Sequence, residues 1–251
     1  MGLLLIIALA GKVAAVIVGW REPAVALTLW FGPDLLIGYH VFVPNAQGVV
    51  RMHRRFRTTE REVWLTIDDG PDPDDTPRIL ALLAEHGARA TFFVIGEKAA
   101  RHPGIIRAIA AAGHEVGHHT QTHPLATFWC AGPARTAREL DATLEVLRPL
   151  SVRPWRFRPP AGIKNPWLAP ALRERSLTAV GWSARGLELW PGNAVRVAER
   201  TLRDLAPGAI LLLHEGPRVP PAIRVTAIGE VLAGLRAAGY RCVIPQETQL
   251  G

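Results

Sequence analysis

The stretch Val63-Trp-Leu-Thr-Ile-Asp-Asp-Gly70 decides the fold of this 251-residue chain. Its apolar and β-branched run predicts a buried strand, and two carboxylates, Asp68 and Asp69, follow where that strand ends. Further along, the chain reads His119-Thr-Gln-Thr-His123. One carboxylate and two imidazoles can hold a divalent ion, which leaves the second carboxylate for proton transfer. The two segments together predict a catalytic metal site.

Strands and helices alternate beyond Thr58, which indicates the α/β class. Predicted strands lie at 63–67, 90–95, around 157, and at 177–182, 209–213 and 242–244. Predicted helices lie at 76–87, 105–112, 133–150, between 157 and 177, and at 195–205 and 223–238. Such alternation favours a parallel sheet or barrel with its site at the carboxyl ends of the strands. Two histidines four residues apart share one face of a helix, so we expect residues 119–123 to be helical.

The charge and composition of the chain bear on whether it binds nucleic acid or lipid. The net charge is +7, and 49% of the residues are hydrophobic. A basic chain can bind nucleic acid or anionic lipid. However, the one dense basic cluster, Arg51, Arg54, Arg55 and Arg57, contains a single aromatic residue, Phe56, and no repeated alternation of basic and aromatic residues. We therefore expect no nucleic-acid partner.

The N-terminal region is apolar enough to enter a membrane. Leu3 to Trp20 is interrupted only by Lys12, and a second apolar stretch, 24–43, contains Gly32-Pro33-Asp34. Each stretch approaches the length that crosses a bilayer of about 30 Å. We predict a hairpin of two membrane helices, with one anchor helix plus an interfacial or buried segment as the alternative.

This hairpin predicts the order of domains and an inner-membrane location. Residues 1–48 would form the membrane anchor, 49–59 a basic juxtamembrane linker, and 60–248 the catalytic domain. The arginines after Val50 favour a cytoplasmic domain by the positive-inside rule. Lys12 and Arg21 weaken that signal, so the side of the membrane stays open.

Four motifs in order resemble the NodB-like polysaccharide deacetylases, carbohydrate esterase family 4. They are Leu65-Thr-Ile-Asp-Asp-Gly70, Gly113-His-Glu-Val-Gly-His-His-Thr-Gln-Thr-His-Pro124, Phe157-Arg-Pro-Pro-Ala-Gly162 and Gly208-Ala-Ile-Leu-Leu-Leu-His214. The resemblance covers about three-quarters of the chain, and the Trp182-Ser-Ala-Arg-Gly186 form resembles membrane-attached bacterial members. It implies an irregular (β/α) barrel and metal-dependent removal of acetyl groups, usually from N-acetylated sugars.

The same resemblance implies a role for each site residue. Asp69, His119 and His123 would hold the metal, with zinc favoured and nickel or cobalt also compatible with these ligands. Asp68 would be the general base, and Arg158 the arginine that hydrogen-bonds it. The general acid that protonates the leaving nitrogen would be His214.

Two positions depart from the family pattern. Ala161, after Pro160, stands where an aromatic residue often contributes its backbone amide to the oxyanion hole. Arg185 replaces the acid that usually supports the catalytic histidine, so we expect Glu188, in the same loop, to support His214. Trp182 is expected either to line the sugar site or to pack in the core.

Three other functions stay open. The same groups could hydrolyse an O-acetyl ester. The substrate could be a lipid-linked sugar held near the membrane helices instead of a polymer. The altered loop at Arg185 would also suit a glycan-binding relative that has lost activity.

Overall fold

The computed structural model describes residues 2–190 and 192–250, the first three of them by their backbone only. The helices are α1 (Gly2–Val18), α2 (Pro23–Phe42), α3 (Asp75–Glu85), α4 (Gly96–Arg101), α5 (Pro103–Ala111), α6 (Pro133–Leu147), α7 (Leu168–Glu174), α8 (Ala194–Leu202) and α9 (Arg224–Ala237). The strands are β1 (Glu62–Gly70), β2 (Ala90–Val94), β3 (Glu115–His118), β4 (Arg156–Phe157), β5 (Thr178–Ala179), β6 (Ala184–Arg185), β7 (Ala209–His214) and β8 (Arg241–Cys242).

All of these strands run parallel in one curled sheet. The order is β5-β4-β3-β2-β1-β7-β6, with β8 paired to the start of β1. Helices connect successive strands, as parallel pairing requires, except between β5 and β6, which lie at opposite edges of the sheet and are joined by residues 180–183. The carboxyl ends of the strands therefore meet at one edge, and the predicted α/β barrel-like fold is confirmed as a half-barrel.

The alternation of side chains along β1 and β7 explains which residues reach the barrel interior. Val63, Leu65 and Ile67 pack in the core that includes the inner faces of α3 and α9. Trp64 packs instead with Phe93, Ile210 and Leu212 in a second core cluster. Because side chains alternate along a strand, Asp68 has the same orientation as Trp64. Asp68 is also the register partner of His214, so one parity brings both to the interior.

The segment before β1 connects one edge of the curled sheet, at β5, with the start of β7 near the other edge. The backbone of His53 pairs with Val180, next to β5, while that of Arg55 pairs with Ala209 in β7. Within this segment, the side chains of Met52 and Phe56 are buried. Residues 49–59, expected as a linker, thus connect the N-terminal helices to the barrel while packing against it.

The first two helices form a hairpin with apolar outer surfaces. The backbone oxygen of Leu29 in α2 lies close to Gly11 in α1, and Lys12 pairs with Asp34 at 2.5 Å across the hairpin. With 20 residues, α2 is the one described helix that is both long and apolar enough to cross a membrane; residues 5–18 form a shorter apolar helix. The length of α2 is about 30 Å, the thickness of a bilayer core.

Three elements were not predicted from the sequence, namely β3, α4 and β6. The segment that forms β3, Glu115-Val-Gly-His118, has one aliphatic side chain and a glycine, so it carries no strand pattern. It is a strand because it pairs with β2 from Thr91 to Val94 in the middle of the sheet. Tertiary pairing here overrides local propensity.

Candidate active site

Asp68 and Asp69 both reach the site because the backbone turns between them. The register between β1 and β2 shifts between Asp68 and Gly70, and Asp69 has a left-handed φ of 74°. A regular strand would send the two carboxylates to opposite faces. Lys98 stabilises the irregular backbone by donating its ammonium to the Asp69 carbonyl oxygen at 2.5 Å.

The segment from His119 to His123 is a loop after β3, so the expectation of a helix is wrong. Thr120 and His123 have positive φ values of 66° and 52°, which a helix does not allow. The loop still brings both Nε2 atoms to Asp69 Oδ1, at 3.4 Å for His119 and 3.2 Å for His123. A tight loop, instead of the expected helix, thus brings the two imidazoles together.

A buried carboxylate holds this loop in place. Glu139 in α6 accepts hydrogen bonds from the backbone N–H groups of Gln121 and Thr122, at 3.0 and 2.9 Å, and from the Thr122 hydroxyl. His118 also supports the loop: its Nδ1 accepts from Thr120 N–H, and its Nε2 donates to the Leu140 carbonyl. His118 is therefore occupied on both nitrogens and does not face the ligand cluster.

The hydrogen bonding of His119 suits metal binding, whereas that of His123 must change when a metal binds. Nδ1 of His119 donates to the Arg158 carbonyl oxygen at 2.7 Å, which leaves the Nε2 lone pair free toward Asp69. Burial lowers the pKa of His123 to about 3, with His119 adding to the effect, so its ring is neutral. The half-exposed guanidinium of Arg218 lies 2.9 Å from His123 Nδ1. Ligation through Nε2 places a proton on Nδ1, so Arg218 must then turn away.

One buried carboxylate oxygen without a partner indicates that Asp69, His119 and His123 suit a divalent ion. Asp69 Oδ1 is buried and has no hydrogen-bond partner, a state that is costly for a carboxylate oxygen unless an ion or water completes it. One donor atom from each of Asp69, His119 and His123 lies within 4.8 Å of the others, as a three-ligand site with open positions requires.

Arg158 fixes the second carboxylate. Its Nη1 donates to Asp68 Oδ1 and to Thr66 Oγ1, both at 2.7 Å, and its other nitrogens bond the carbonyls of Val180 and Gly181. The guanidinium is fully buried and stacks over the Phe93 ring. A buried, charge-assisted pair of this kind holds the carboxylate in one orientation.

Across the cleft, His214 is paired with Glu188. The Nδ1 atom of His214 lies 3.1 Å from Glu188 Oε1, which also accepts the His214 backbone N–H at 3.0 Å. Burial would lower the pKa of His214, but Glu188, with smaller contributions from Asp68 and Asp69, raises it to about 9. Arg185 lines the same cleft. The carboxylate expected in this loop is therefore next to the histidine that needs one.

A cleft of about 270 Å³ joins these groups. Its walls include Ala161, Trp182, Leu189 and Trp190. Trp182 is 6% exposed, so it both lines the cleft and packs in the core. Pro160 is buried directly before Ala161, which has a left-handed φ of 49°. This turn brings the backbone at Ala161 to the cleft without a large side chain.

Backbone strain is concentrated around the cleft. Seven described non-glycine residues have positive φ, and five belong to the segments above: Asp69, Thr120, His123, Ala161 and Leu187. Such conformations cost about 1–3 kcal/mol each and persist where the surrounding structure enforces them. The clustering indicates that the fold retains strained backbone conformations here because they position the side chains of the site.

Sequence reasoning missed Glu139, Lys98 and Arg218. Glu139 lies in an amphipathic helix where an acid normally faces solvent, and its burial under the loop depends on how α6 packs. Arg218 lies in the loop after β7, so its position beside His123 depends on the sheet order. No spacing in the sequence identifies either contact.

Comparisons with known proteins agree with this geometry. The sequence matches the family model described as polysaccharide deacetylase over residues 56–180. A chitooligosaccharide deacetylase of Bradyrhizobium sp. is 37% identical over 158 residues, which cover 62% of this chain and 71% of the relative. The chain belongs to the polysaccharide deacetylase family. It is accordingly a carbohydrate deacetylase, and the resemblance expected from the four motifs is confirmed.

Other members of the polysaccharide deacetylase family extend the match beyond residue 180. A peptidoglycan-N-acetylglucosamine deacetylase of Bacillus cereus is 30% identical over 190 residues, covering 75% of this chain and 88% of the relative. A crystal structure of a peptidoglycan N-acetylglucosamine deacetylase with a bound N-hydroxybenzamide has a TM-score of 0.70 and 30% identity. It covers 76% of this chain and 88% of that one. The shared region is the barrel.

Proposed function

We propose that this deacetylase hydrolyses the N-acetyl groups of N-acetylated sugars, using a divalent metal and an acid–base pair. One observation carries the proposal: Asp68 with Arg158 and His214 with Glu188 flank the cluster of Asp69, His119 and His123 in one cleft. Amide hydrolysis needs an activated nucleophile, a stabilised oxyanion and a protonated leaving amine. Each need has a candidate group within this cleft.

The base side consists of the metal ligands and Asp68. A divalent ion held by Asp69, His119 and His123 would polarise the acetyl carbonyl and lower the pKa of water. Asp68 accepts the proton from the attacking water. Its hydrogen bond to Arg158 holds Oδ1 and leaves the other oxygen, Oδ2, facing the ligand cluster, 3.7 Å from His119 Nε2.

The acid side consists of His214 and Glu188. A leaving amine needs a proton donor that is still protonated at neutral pH, and the raised pKa of His214 meets that condition. Glu188 holds Nδ1, so Nε2 carries the proton toward the cleft. Glu188 thereby takes the place of the acid that Arg185 replaces.

We assign the stabilisation of the oxyanion to the turn at Ala161, and contact with the sugar to the cleft wall beside it. Its backbone N–H, presented by the left-handed conformation after Pro160, would donate to the developing oxyanion. Because Ala161 has no ring, Trp182 supplies the aromatic surface of this part of the cleft. A sugar ring would pack against that surface.

Zinc is the preferred ion, with nickel and cobalt as alternatives. Two imidazoles and one carboxylate are ligands that all three ions accept, and an uncompensated carboxylate oxygen favours a doubly charged cation. Reconstitution of the apoenzyme with each metal would rank them by activity.

The substrate class follows from the relatives. Those compared above are named for chitooligosaccharide and for peptidoglycan N-acetylglucosamine, and we assign this enzyme to N-acetylglucosamine units of an oligosaccharide or glycan. The partners are this glycan and membrane lipid, without nucleic acid.

A lipid-linked sugar is the second candidate substrate, and one contact favours it. The buried ammonium of Lys164 donates to the carbonyls of Val43 and Pro44, directly after α2, and to that of Gly162. The α1–α2 hairpin is therefore fastened to the turn that carries Ala161. If α2 spans the inner membrane, as we propose, the cleft lies near the lipid surface.

Acetate release from a chitooligosaccharide tests the proposed function. The full-length enzyme should release acetate when zinc is supplied, lose that activity with a chelator, and regain it on readdition of metal. Matched N-acetylated and O-acetylated sugars separate amidase from esterase activity. Binding of the oligosaccharide without any acetate release would instead indicate a glycan-binding protein.

A further inference from the structure

A second cavity lies at the end of α2, on the other side of Trp182 from the catalytic cleft. Its volume is about 570 Å³, and Trp182 lines both spaces. The remaining lining comes from two segments, 45–55 and the loop before β6: Asn45, Gln47, Arg51, Met52, His53, Arg54, Arg55 and Ser183. The proposed deacetylation does not use this cavity.

The cavity is strongly basic and lacks a counter-charge. Arg51, Arg54 and Arg55 all line it, and none forms an ion pair with a carboxylate in the described part of the chain. Burial, together with the charge of Arg51, lowers the pKa of His53. Three guanidinium groups held around one space repel one another, and a bound anion would relieve that repulsion.

The cavity is built from ordered backbone, so its arginines are not carried on a loose tail. The side chain of Gln47 bonds both the N–H and the carbonyl of Met52, at 2.9 and 3.0 Å. Asn45 donates to the Trp182 carbonyl at 2.9 Å. Met52 is buried in the core, and His53 is paired to Val180. These contacts fix the direction of the basic wall.

If α2 spans the membrane, as proposed above, its end places this cavity at the level of lipid headgroups. Asn45 is three residues after Phe42, where α2 ends, so it lies at most about 10 Å from the helix end along an extended chain. Headgroups occupy roughly 5–7 Å on each side of the hydrocarbon core. Phosphate is the abundant anion at that depth, and the planar fork of arginine matches its oxygens.

We propose that the cavity of Asn45, Gln47, Arg51, Arg54 and Arg55 binds the phosphate group of a membrane lipid. The arginines supply the charge and the amide side chains supply neutral donors or acceptors. The proposal concerns binding and is independent of the deacetylation proposed above. It assigns the basic cluster of the sequence a ligand other than nucleic acid.

The cavity is connected to the catalytic residues through one short backbone segment. The carbonyls of Val180 and Gly181 accept from Arg158, the partner of Asp68. Arg54 packs against Gly181, and Asn45 lies against the same glycine. A lipid phosphate bound here would thus be separated from Arg158 and Asp68 only by the backbone of Val180 and Gly181. A sugar attached to that lipid could then reach the cleft past Trp182.

Binding to the full-length protein in a neutral detergent tests this inference. The probes are short-chain phosphatidylglycerol, short-chain diacylglycerol without a phosphate, and inorganic phosphate. The Arg51→Gln/Arg54→Gln double variant is compared with Arg107→Gln, an exposed arginine of α5. Each partly exposed charge pair contributes up to about five-fold in binding, so the double variant should bind phosphatidylglycerol up to about 25-fold more weakly.

Wild type and Arg107→Gln should bind phosphatidylglycerol equally and should not bind diacylglycerol. Competition by inorganic phosphate would support a site for the phosphate itself, and binding of the lipid without such competition would support recognition of the whole headgroup. Undiminished phosphatidylglycerol binding by the double variant would overturn the proposal. Equal affinity for diacylglycerol would overturn it as well. Acetate release from a soluble oligosaccharide should be the same in all three proteins, whether or not the cavity binds lipid.

Discussion

Oε1 of Glu188 lies 3.1 Å from Nδ1 of His214 and also accepts the backbone N–H of that residue at 3.0 Å. One carboxylate oxygen therefore fixes both the ring and the backbone of His214. Glu188 is nearly fully buried, so its negative charge acts through a medium that screens it weakly. This pair forms the proposed acid half of the cleft, although Arg185 stands where an acid was expected.

Replacing Glu188 with glutamine should lower the pKa of His214. The pKa is about 9 with the carboxylate present, and without it the value should fall toward the ordinary 6.5. The basic limb of kcat/KM against pH should therefore move to lower pH by more than one unit. Glu199→Gln, in an exposed position of α8, is the matched control. An unmoved basic limb in Glu188→Gln would remove Glu188 from this role.

The same pair predicts how stability depends on pH. His214 binds its proton more tightly in the folded protein, so its contribution to the free energy of unfolding is complete below about pH 6.5. That contribution should be lost as pH rises through about 9. Urea denaturation of wild type and Glu188→Gln at pH 6 and pH 9.5 measures it, and the difference between the proteins should shrink at the higher pH.

Asp68 and Asp69 should separate metal binding from turnover. Asp69→Ala removes a ligand, so the purified protein should lose its bound metal and its activity together. Asp68→Asn should retain the metal while kcat falls by about 100-fold or more, because the proton acceptor is gone. Metal analysis and acetate release on the same samples check both effects. Loss of metal from Asp68→Asn equal to that from Asp69→Ala would contradict this division.

Glu139 should control metal affinity without touching the ion. Glu139→Gln replaces an acceptor of three hydrogen bonds in the 121–122 backbone region with an amide whose NH₂ faces N–H donors. Loss of a group that orients metal ligands typically costs 10–100-fold in affinity. Activity should recover at saturating metal.

Glu145→Gln is the matched control for that change, since Glu145 is exposed on the same helix. It should bind metal as wild type does. A Glu139→Gln enzyme with normal metal affinity would show that the loop does not depend on this carboxylate. One that no metal concentration rescues would show that the change disrupts more than metal affinity.

Lys164→Met should loosen the attachment of the hairpin to the barrel. Three carbonyl oxygens lose their donor, and we expect a loss of about 2 kcal/mol in the free energy of unfolding. Burial lowers the pKa of Lys164 to about 8, below its unfolded value of about 10.4. The unfolded chain therefore binds more protons between these values, and wild-type stability should gain from rising pH there.

Thermal unfolding at pH 8 and pH 10 checks this, with Arg153→Met, at an exposed position, as the control. The stability gap between wild type and Lys164→Met should widen at pH 10. Faster proteolysis between Pro44 and Gln47 should accompany it. Equal melting temperatures for wild type and Lys164→Met would mean that other contacts hold the hairpin.

The sequence predicted the strand–helix alternation well because most of the elements carry a clear apolar pattern. β1, β2 and β7 are buried on both faces and read as continuous apolar runs, as central parallel strands do. The Asp68–Asp69 pair stood out because polar residues follow directly on a predicted strand, and the two histidines stood out because of their spacing of four residues. β3 was missed since Val116 is its one aliphatic residue, and α4 and β6 are too short to show a pattern.

The local shape of the site could not be obtained in this way. A spacing of four residues is compatible with a helix, yet His119 and His123 meet through a left-handed loop that Glu139 holds from another helix. The contacts of Arg158 with Asp68, and of Lys164 with the end of α2, join residues about 90 and 120 positions apart. Such contacts depend on sheet order, which local periodicity does not encode.

By itself, the sequence determined the fold class, the family and the identity of the groups that meet in the cleft, because strand ends and residue chemistry are local properties. Only the tertiary structure decided how those groups are oriented. It paired Glu188 with His214, left Asp69 Oδ1 without a partner, and set the basic cavity beside Trp182. The physical reason is that hydrogen bonds and burial depend on distance in space, and distance along the chain does not fix it.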